Sequence, residues 1–198
     1  MSDATMVTDA ELMLQVKGGD IRAFENLVGK HQRPLINYFF RMVWDRQIAE
    51  DMAQEVFLRI YNHAADYEAQ AKFTTYMYRV ARNLWIDRIR HEAHAPKTVS
   101  LDAPADAEGD TFHDRISGTS PSVDAHLSGQ ERAAIVRKAI ELLPEEQRQV
   151  LLLVEGKDLK YQEIAQVLEI PLGTVKSRMH AAMMKLKELL AGKLGDLE

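Results

Sequence analysis

The stretch YQEIAQVLEIPLGTVKSRMHAAMMKLKELL, from Tyr161 to Leu190, decides the fold. Ile164, Ala165 and Leu168 recur at helical spacing and place one apolar side on a short helix. EIPLG interrupts the pattern, with Pro171 and Gly173 as the expected breakers. Thr174 is suited to cap a second helix, on which Val175, Met179, Ala182, Leu186 and Leu189 share a face. Two helices across such a turn read as a helix-turn-helix, whose second helix enters the major groove of DNA. The outward side of that helix offers Lys176, Ser177 and His180, with Arg178 on its flank. Lysine and serine donate to base edges, and an arginine on the flank suits a phosphate. From Thr174 to Lys193 five basic residues stand against one acid, Glu188. A hairpin in a helical bundle with no DNA role is the competing reading of this stretch.

Upstream, Pro144-Glu145-Glu146 marks a helix start, with proline near the first turn and acids at the positive end of the helix. Ser128-Gly-Gln-Glu131 has the form of a capping box. Before it, residues 94–130 are dominated by Pro, Gly, Ser, Thr and Asp, with no sustained apolar period. Such a composition buries too little apolar surface to offset chain entropy, so a flexible linker is expected here. The linker is acidic: residues 96–130 supply −4 of the chain's net charge of −5, and both flanks are nearly neutral. On this reading the flanking units move independently.

The N-terminal flank is also helical by pattern. Thr8 to Glu11 fits a capping box, Gly18-Gly19 a helix end, and Asp20 the next cap. AEDMAQEVFLRIY, starting at Ala49, has a core side of Ala49, Met52, Ala53, Val56 and Ile60. Its other side holds Asp51, Gln54, Glu55, Leu58 and Asn62, so Leu58 is an apolar residue within an acidic, polar face. That pattern suits a protein partner, although a single surface leucine needs no explanation. KFTTYMYRVARNLWIDRIR, from Lys72 to Arg90, carries five basic residues against Asp87. Phe73, Tyr76, Met77, Val80 and Leu84 project to one side. Arg79, Arg82, Asn83 and Arg90 project largely to the other, with Tyr78, Trp85 and Ile89 off the core stripe. Cations neutralise phosphates, and aromatic planes and amides hold unstacked bases, so this helix suits single-stranded or melted nucleic acid. Packing of Trp85 and Ile89 on another helix is the alternative.

Composition narrows the rest. At 46% hydrophobic and 28% charged over 198 residues, the chain has the make-up of one or two small globular domains. It has no cysteine, which excludes disulfides, thiolate zinc sites and thiol catalysis. The start MSDATMVTDAELM does not resemble a secretory signal, and no apolar run approaches the ~20 residues of a membrane span. HEAH, from His91 to His94, lacks the HExxH spacing that brings two histidines onto one helical face. Neither a glycine-rich phosphate loop nor a GxSxG motif occurs.

Together these stretches resemble a bacterial RNA polymerase sigma factor of the extracytoplasmic-function group, in the sigma-70 family. AEDMAQEVFLRIY is similar to that family's core-polymerase-binding helix, and KFTTYMYRVARNLWIDRIR to its element for melting and reading the −10 region. LPEEQRQVLLLVEGKDLKYQEIAQVLEIPLGTVKSRMHAAMMKL is similar to its −35-reading domain. The resemblance spans roughly residues 9–95 and 128–190, and its strength lies in three motifs in the right order rather than in any one. It implies an all-α architecture of two small helical domains. Residues 1–95 would form a sigma-two-like bundle, 96–130 the flexible acidic linker, and 131–198 a sigma-four-like helix-turn-helix unit.

The resemblance assigns Lys72, Arg79, Arg82, Asn83, Trp85, Asp87, Arg88 and Arg90 to −10 DNA, with Asn83 holding a flipped-out base. It assigns Asp51, Gln54, Glu55 and Leu58 to the coiled coil of the beta-prime subunit. Thr174, Lys176, Ser177, Arg178 and His180 fall at the −35-reading positions. The implied partners are core RNA polymerase, through its beta-prime and beta subunits, promoter DNA and an anti-sigma factor. The linker would run through polymerase toward the RNA exit path. No cofactor, metal, catalytic residue or membrane insertion is implied, and the expected location is cytoplasmic. Lys160, Ala181 and Trp85 depart from the family pattern, which leaves the promoter sequence open. A helix-turn-helix regulator acting without core polymerase is the alternative; it accounts for residues 131–198 and leaves the N-terminal half without a role.

Overall fold

The computed structural model describes residues 7–94, 129–156 and 159–195. Within them lie α1 (Asp9–Lys17), α2 (Ile21–Val43), α3 (Arg46–Asn62), α4 (Phe73–His94), α5 (Gly129–Glu141), α6 (Glu145–Glu155), α7 (Tyr161–Leu168) and α8 (Leu172–Gly195). A single 3-10 turn, Ala64–Asp66, lies between α3 and α4. The described residues contain no strand, in keeping with the all-α expectation. Nearly all of residues 96–130, and Ser128 with its expected cap, lie outside the described residues.

The N-terminal unit starts as its capping residues dictate. The Glu11 carboxylate accepts from the Thr8 backbone N–H at 2.7 Å, and the Thr8 hydroxyl accepts from the Glu11 N–H at 3.3 Å. The chain leaves α1 through Gly18 and Gly19, and Gly19 has φ of +93°, a conformation that favours glycine. Asp20 then caps α2 by accepting from the N–H groups of Arg22 and Ala23. Ala23, Leu27, His31, Leu35 and Phe39 give α2 a buried stripe at four-residue spacing, against which α3 packs Ala49, Met52, Ala53, Val56 and Ile60.

Asp9 fastens α1 to α2. Lys30 donates to it at 2.6 Å, and the buried His31 ring nitrogen lies 2.8 Å from its second oxygen. Partial burial pushes the Asp9 carboxyl up, but the hydrogen bonds with Lys30 and His31 outweigh this and hold it below its ordinary value. A depressed carboxylate stabilises the fold above its unfolded pKa, and that stabilisation is lost as pH falls through the folded value. Asp9→Asn is therefore expected to speed amide exchange in α1 by about tenfold at neutral pH, a charge-assisted hydrogen bond being worth about 1.5 kcal/mol. The difference from wild type should shrink as the pH is lowered below 3.8. Equal exchange at neutral pH would exclude this fastening.

In the C-terminal unit Pro144 occupies the N-cap of α6, with Glu145 and Glu146 in its first turn. Glu163 accepts from the Lys160 N–H at 2.6 Å at the start of α7. Lysine has no side-chain acceptor to return the bond. The turn of the helix-turn-helix differs from the sequence expectation. Gly173 lies inside α8, and the left-handed residue is Glu169, with φ of +53°. Thr174 also lies within the first turn of α8 rather than capping it. The Pro171 carbonyl accepts from both Thr174 and Val175 N–H groups, so the helix starts two residues before Thr174.

The two units pack on one another in the structure, a contact that the sequence pattern did not indicate. α7 lies along α4, and α6 touches α2. Buried residues of both units, from Phe73 and Met77 to Ile164 and Val167, form one continuous apolar cluster. A smaller cluster of Ile140, Leu143, Leu151 and Ala182 receives Trp44 from the N-terminal unit. The Arg137 guanidinium sits 4.9 Å from the centre of that indole. Tyr78 and Trp85, placed off the core stripe by periodicity, are only 4% and 7% exposed. α4 is thus buried on two sides, one within its own bundle and one against the C-terminal unit.

Candidate nucleic-acid and partner interfaces

On α3 the acidic, apolar face is present as a surface. Asp51 and Gln54 are exposed, Glu55 is half-buried, and Leu58 is 48% exposed. Glu55 is fixed by Arg59, whose Nε donates to it at 2.8 Å. The same guanidinium reaches Asp87 of α4 at 3.1 Å, and the Glu55 hydrogen bond raises the Arg59 pKa. Tyr61, one turn beyond Leu58, is 45% exposed and its ring lies 5.0 Å from Phe24. Sequence reading did not single out Tyr61; its spacing of three from Leu58 is the signal that places both on one helical face. An apolar pair rimmed by carboxylates is an arrangement that docks an amphipathic or basic helix.

The residues of the basic stretch from Lys72 to Arg90 differ in exposure and in the contacts they make. Arg79, Asn83 and Arg90 are exposed. Arg88 pairs with Glu92 at 2.8 Å within the helix, and Asp87 is held by Arg59. Lys72, Arg82 and Trp85 are engaged by the C-terminal unit. Lys72 Nζ is 2.8 Å from Glu163, Arg82 Nη1 is 2.8 Å from Glu169, and the Trp85 indole N–H donates to Glu145 at 2.8 Å. Asn83 accepts from Arg82 only at the 3.5 Å limit, which leaves its amide available.

Beside Arg79 a cleft of about 350 Å³ opens between the loop after α3, the start of α4 and α7. Its walls include Tyr67, Gln70, Thr75, Tyr76, Arg79 and Gln166. The Tyr67 and Thr75 hydroxyls are buried there without a hydrogen-bond partner. Burial of the Tyr67 and Tyr76 rings pushes both phenols above their ordinary pKa, so they stay protonated donors at neutral pH. Unpaired buried hydroxyls beside a cation mark a place where a polar ligand would satisfy them. Sequence reading missed Tyr67 and Thr75, because a loop tyrosine and a helical threonine carry no periodic signal.

On α8, Lys176, Ser177 and His180 are exposed together near the N-terminal end. Ser177 donates to the Thr174 carbonyl at 3.1 Å. Thr174 is half-buried, and Arg178 pairs with Glu146 of α6 at 2.6 Å. Val175 and Ala182 are fully buried and set the rotation of the helix, so the polar side faces outward. Among the described residues, no group of His, Asp or Glu is placed to hold a metal ion, and no helix is long and apolar enough to cross a membrane.

Comparison with known proteins accounts for both units. Residues 27–95 match the family model for sigma-70 region 2, and residues 125–186 match the one for sigma-70 region 4. The chain is 35% identical over 184 residues to the ECF RNA polymerase sigma factor SigW of Bacillus subtilis, covering 92% of this chain and 95% of SigW. It is 32% identical over 188 residues to the RNA polymerase sigma-H factor of Pseudomonas aeruginosa, covering 94% and 95% of the two chains. It is 31% identical to the ECF RNA polymerase sigma-E factor of Escherichia coli K12, covering 89% and 91%. Among solved structures, CnrH in complex with the cytosolic domain of CnrY has a similar fold, with a TM-score of 0.67 at 21% identity over 93% of this chain and 97% of that one. The sigma factor RpoE of Bartonella quintana, in complex with the anti-sigma factor NepR, aligns with a TM-score of 0.64 at 20% identity over 86% and 98%. A region 2 match across the N-terminal half removes the reading as a helix-turn-helix regulator alone, and the chain belongs to the extracytoplasmic-function group of sigma-70 family RNA polymerase sigma factors.

Proposed function

We propose that the two helical units divide the work of a promoter-directing sigma factor. Residues 1–95 dock on core RNA polymerase and read and melt the −10 element. Residues 131–198 read the −35 element, and 96–130 join them. One observation carries this reading: a single chain presents an acidic, apolar face on α3, a basic face on α4 and a polar recognition face on α8. Asp51, Gln54, Glu55 and Leu58 take the beta-prime coiled coil. Lys72, Arg79, Arg82, Arg88 and Arg90 neutralise phosphates around the melted strand, with Trp85 and Asp87 in the same surface. Asn83 and the hydroxyl-lined cleft beside Arg79 serve bases that have left the stack. Lys176, Ser177 and His180 contact −35 base edges, with Arg178 and Thr174 beside the backbone.

RNA synthesis itself belongs to the core enzyme, and this chain acts as its recognition subunit, without a catalytic group of its own, in the cytoplasm where core polymerase works. An anti-sigma factor is the expected protein antagonist. The complex of the similarly folded Bartonella quintana sigma factor with its anti-sigma factor supports that partner class.

Copurification with core RNA polymerase, followed by selection of opened promoters from a random DNA library, tests the reading. On a selected promoter, Asn83→Ala is expected to leave duplex affinity within about twofold, because the amide is neutral and makes no phosphate contact. It should lower permanganate-detected opening by about tenfold, since a lost base contact costs about 1–3 kcal/mol. Arg79→Ala should instead weaken binding across all sequences and reduce the salt slope by about one unit. Wild-type opening by Asn83→Ala would remove its role in base capture.

A further inference from the structure

We propose that α1 braces the cleft beside Arg79, and that Lys17, through the bond it donates to the Tyr67 carbonyl, is a positioning residue for base selection in the −10 element; this rests on the reading of that cleft as a site for bases that have left the stack.

The wall of the cleft has little structure of its own. Residues 67–72 are irregular, and among them lies one backbone hydrogen bond, from the Gln70 N–H to the Glu68 carbonyl at 2.8 Å. Tyr67 leaves the 3-10 turn in an extended conformation, with ψ of 132°. No backbone N–H of the described residues donates to its carbonyl. Lys17 Nζ does, at 3.0 Å, from 50 positions away. A charged donor holds a carbonyl more strongly than a neutral one does. That bond fixes the backbone on which the Tyr67 ring is mounted. The ring is 4% exposed and lies 5.3 Å from the ring of Tyr76. Its hydroxyl, like that of Thr75, is buried at the cleft without a partner. A wall displaced by ~1 Å carries such a hydroxyl beyond hydrogen-bond distance of a base edge.

The helix behind Lys17 is itself fixed. Met13 and Val16 bury its inner side, and α1 packs against the 3-10 turn and touches α4. Its start is tied to α2 through Asp9, which takes Lys30 and His31, and the His31 ring lies 5.2 Å from Phe73 at the start of α4. The two ends of α1 therefore reach the two ends of the segment that walls the cleft, Lys17 at Tyr67 and Asp9, by way of His31, at Phe73. All of these contacts lie within the N-terminal unit, so the brace does not depend on where the C-terminal unit sits. None of the residues assigned above to polymerase or DNA lies on α1, and these contacts are what tie it to promoter reading. A lysine in the last turn of a helix ordinarily offsets the helix dipole. That role requires no bond to Tyr67 and leaves base choice unaffected.

The test uses holoenzyme formed from the full chain and core polymerase, on fork-junction DNAs that carry each of the four bases in turn at every unpaired position of the −10 strand. Tyr67→Phe with Thr75→Val removes the two cleft hydroxyls, and the position at which this double variant changes base preference is the one the cleft reads. At that position Lys17→Met, which keeps the apolar stem and removes the donor, is expected to lower discrimination between the preferred base and the others by about fivefold, the net worth of a single hydrogen bond. Lys17→Arg restores a charged donor and should return most of that loss. The salt slope and the capture of core polymerase should match wild type for both, because no phosphate or polymerase contact is removed. Wild-type discrimination by Lys17→Met overturns the brace, as does an equal loss of affinity for all four bases. If Lys17→Met loses its helical signal, Asp9→Asn replaces it by releasing the other end of α1; it should lower discrimination at the same position, and wild-type discrimination overturns the brace. If the hydroxyl variant leaves base preference unchanged at every position, the cleft reads no base and the brace falls with it. If the hydroxyl variant changes preference and Lys17→Met does not, the cleft reading stands and the brace alone fails.

Discussion

Truncation of Phe73 to alanine is expected to lower the stability of the N-terminal unit by about 3–5 kcal/mol, the range for emptying a buried phenylalanine site. Phe73 is 2% exposed and is the first residue of α4. Its ring lies 5.2 Å from the buried His31 of α2 and 6.5 Å from Tyr76 one turn on. It therefore fixes where α4 begins against α2, and with it the positions of Lys72, Thr75, Tyr76 and Arg79. A domain is stable by only about 5–15 kcal/mol, so the loss consumes a large share of the total. The guanidinium midpoint of unfolding should fall steeply with little change in slope, and −10 binding should fall with it. Arg79→Ala, a few residues away on the exposed side, should move the midpoint by less than about 0.5 kcal/mol equivalent. A Phe73→Ala midpoint matching wild type would mean that the start of α4 is not anchored by this ring.

What could be read from the sequence follows the range of the forces involved. The caps at Thr8 and Asp20, and the stripe from Ala49 to Ile60, depend on neighbours within one or two turns, so local pattern placed them correctly. Leu58 was legible for the same reason, as an apolar residue out of phase with its helix. For Trp85 the pattern left two readings open, a base-holding surface or packing on another helix; the second holds, and local pattern could not choose it because the group that takes the indole N–H is Glu145, 60 positions away. A helix buried on two sides looks, by periodicity, like a helix with aromatics on its surface. The turn of the helix-turn-helix failed on chemistry rather than range. Pro171 and Gly173 are the residue types that break helices, yet Pro171 leads directly into α8 and Gly173 continues it. The reversal falls on Glu169, whose left-handed backbone no propensity favours, and whose carboxylate is used by Arg82. The residue that violates the local rule is the one that serves a contact between the units.

Placing a carboxylate at Leu58 is expected to weaken binding to core RNA polymerase by at least about thirtyfold, or ~2 kcal/mol, the threshold at which an interface residue counts as a main anchor. Leu58 is 48% exposed and its helix is held by residues on the opposite face, so Leu58→Asp should leave the thermal midpoint nearly unchanged. The new charge would sit among Asp51 and Glu55 and would have to be desolvated on docking, which adds to the loss of apolar contact. Tyr61→Ala should weaken the same interaction, because it shares the exposed apolar strip of α3. Asp51→Arg attacks the acidic rim instead: its cost should appear mainly in the association rate and should diminish at high salt, whereas that of Leu58→Asp should persist. Glu55 is a poorer choice for reversal, since an arginine there would face Arg59 and disturb its bridge to Asp87. The measurement is titration of labelled chain with core polymerase at two salt concentrations. Unchanged affinity for Leu58→Asp, with the fold intact, would move the polymerase contact off this face of α3. A loss that vanished at high salt would reduce Leu58 to a bystander of the charged rim.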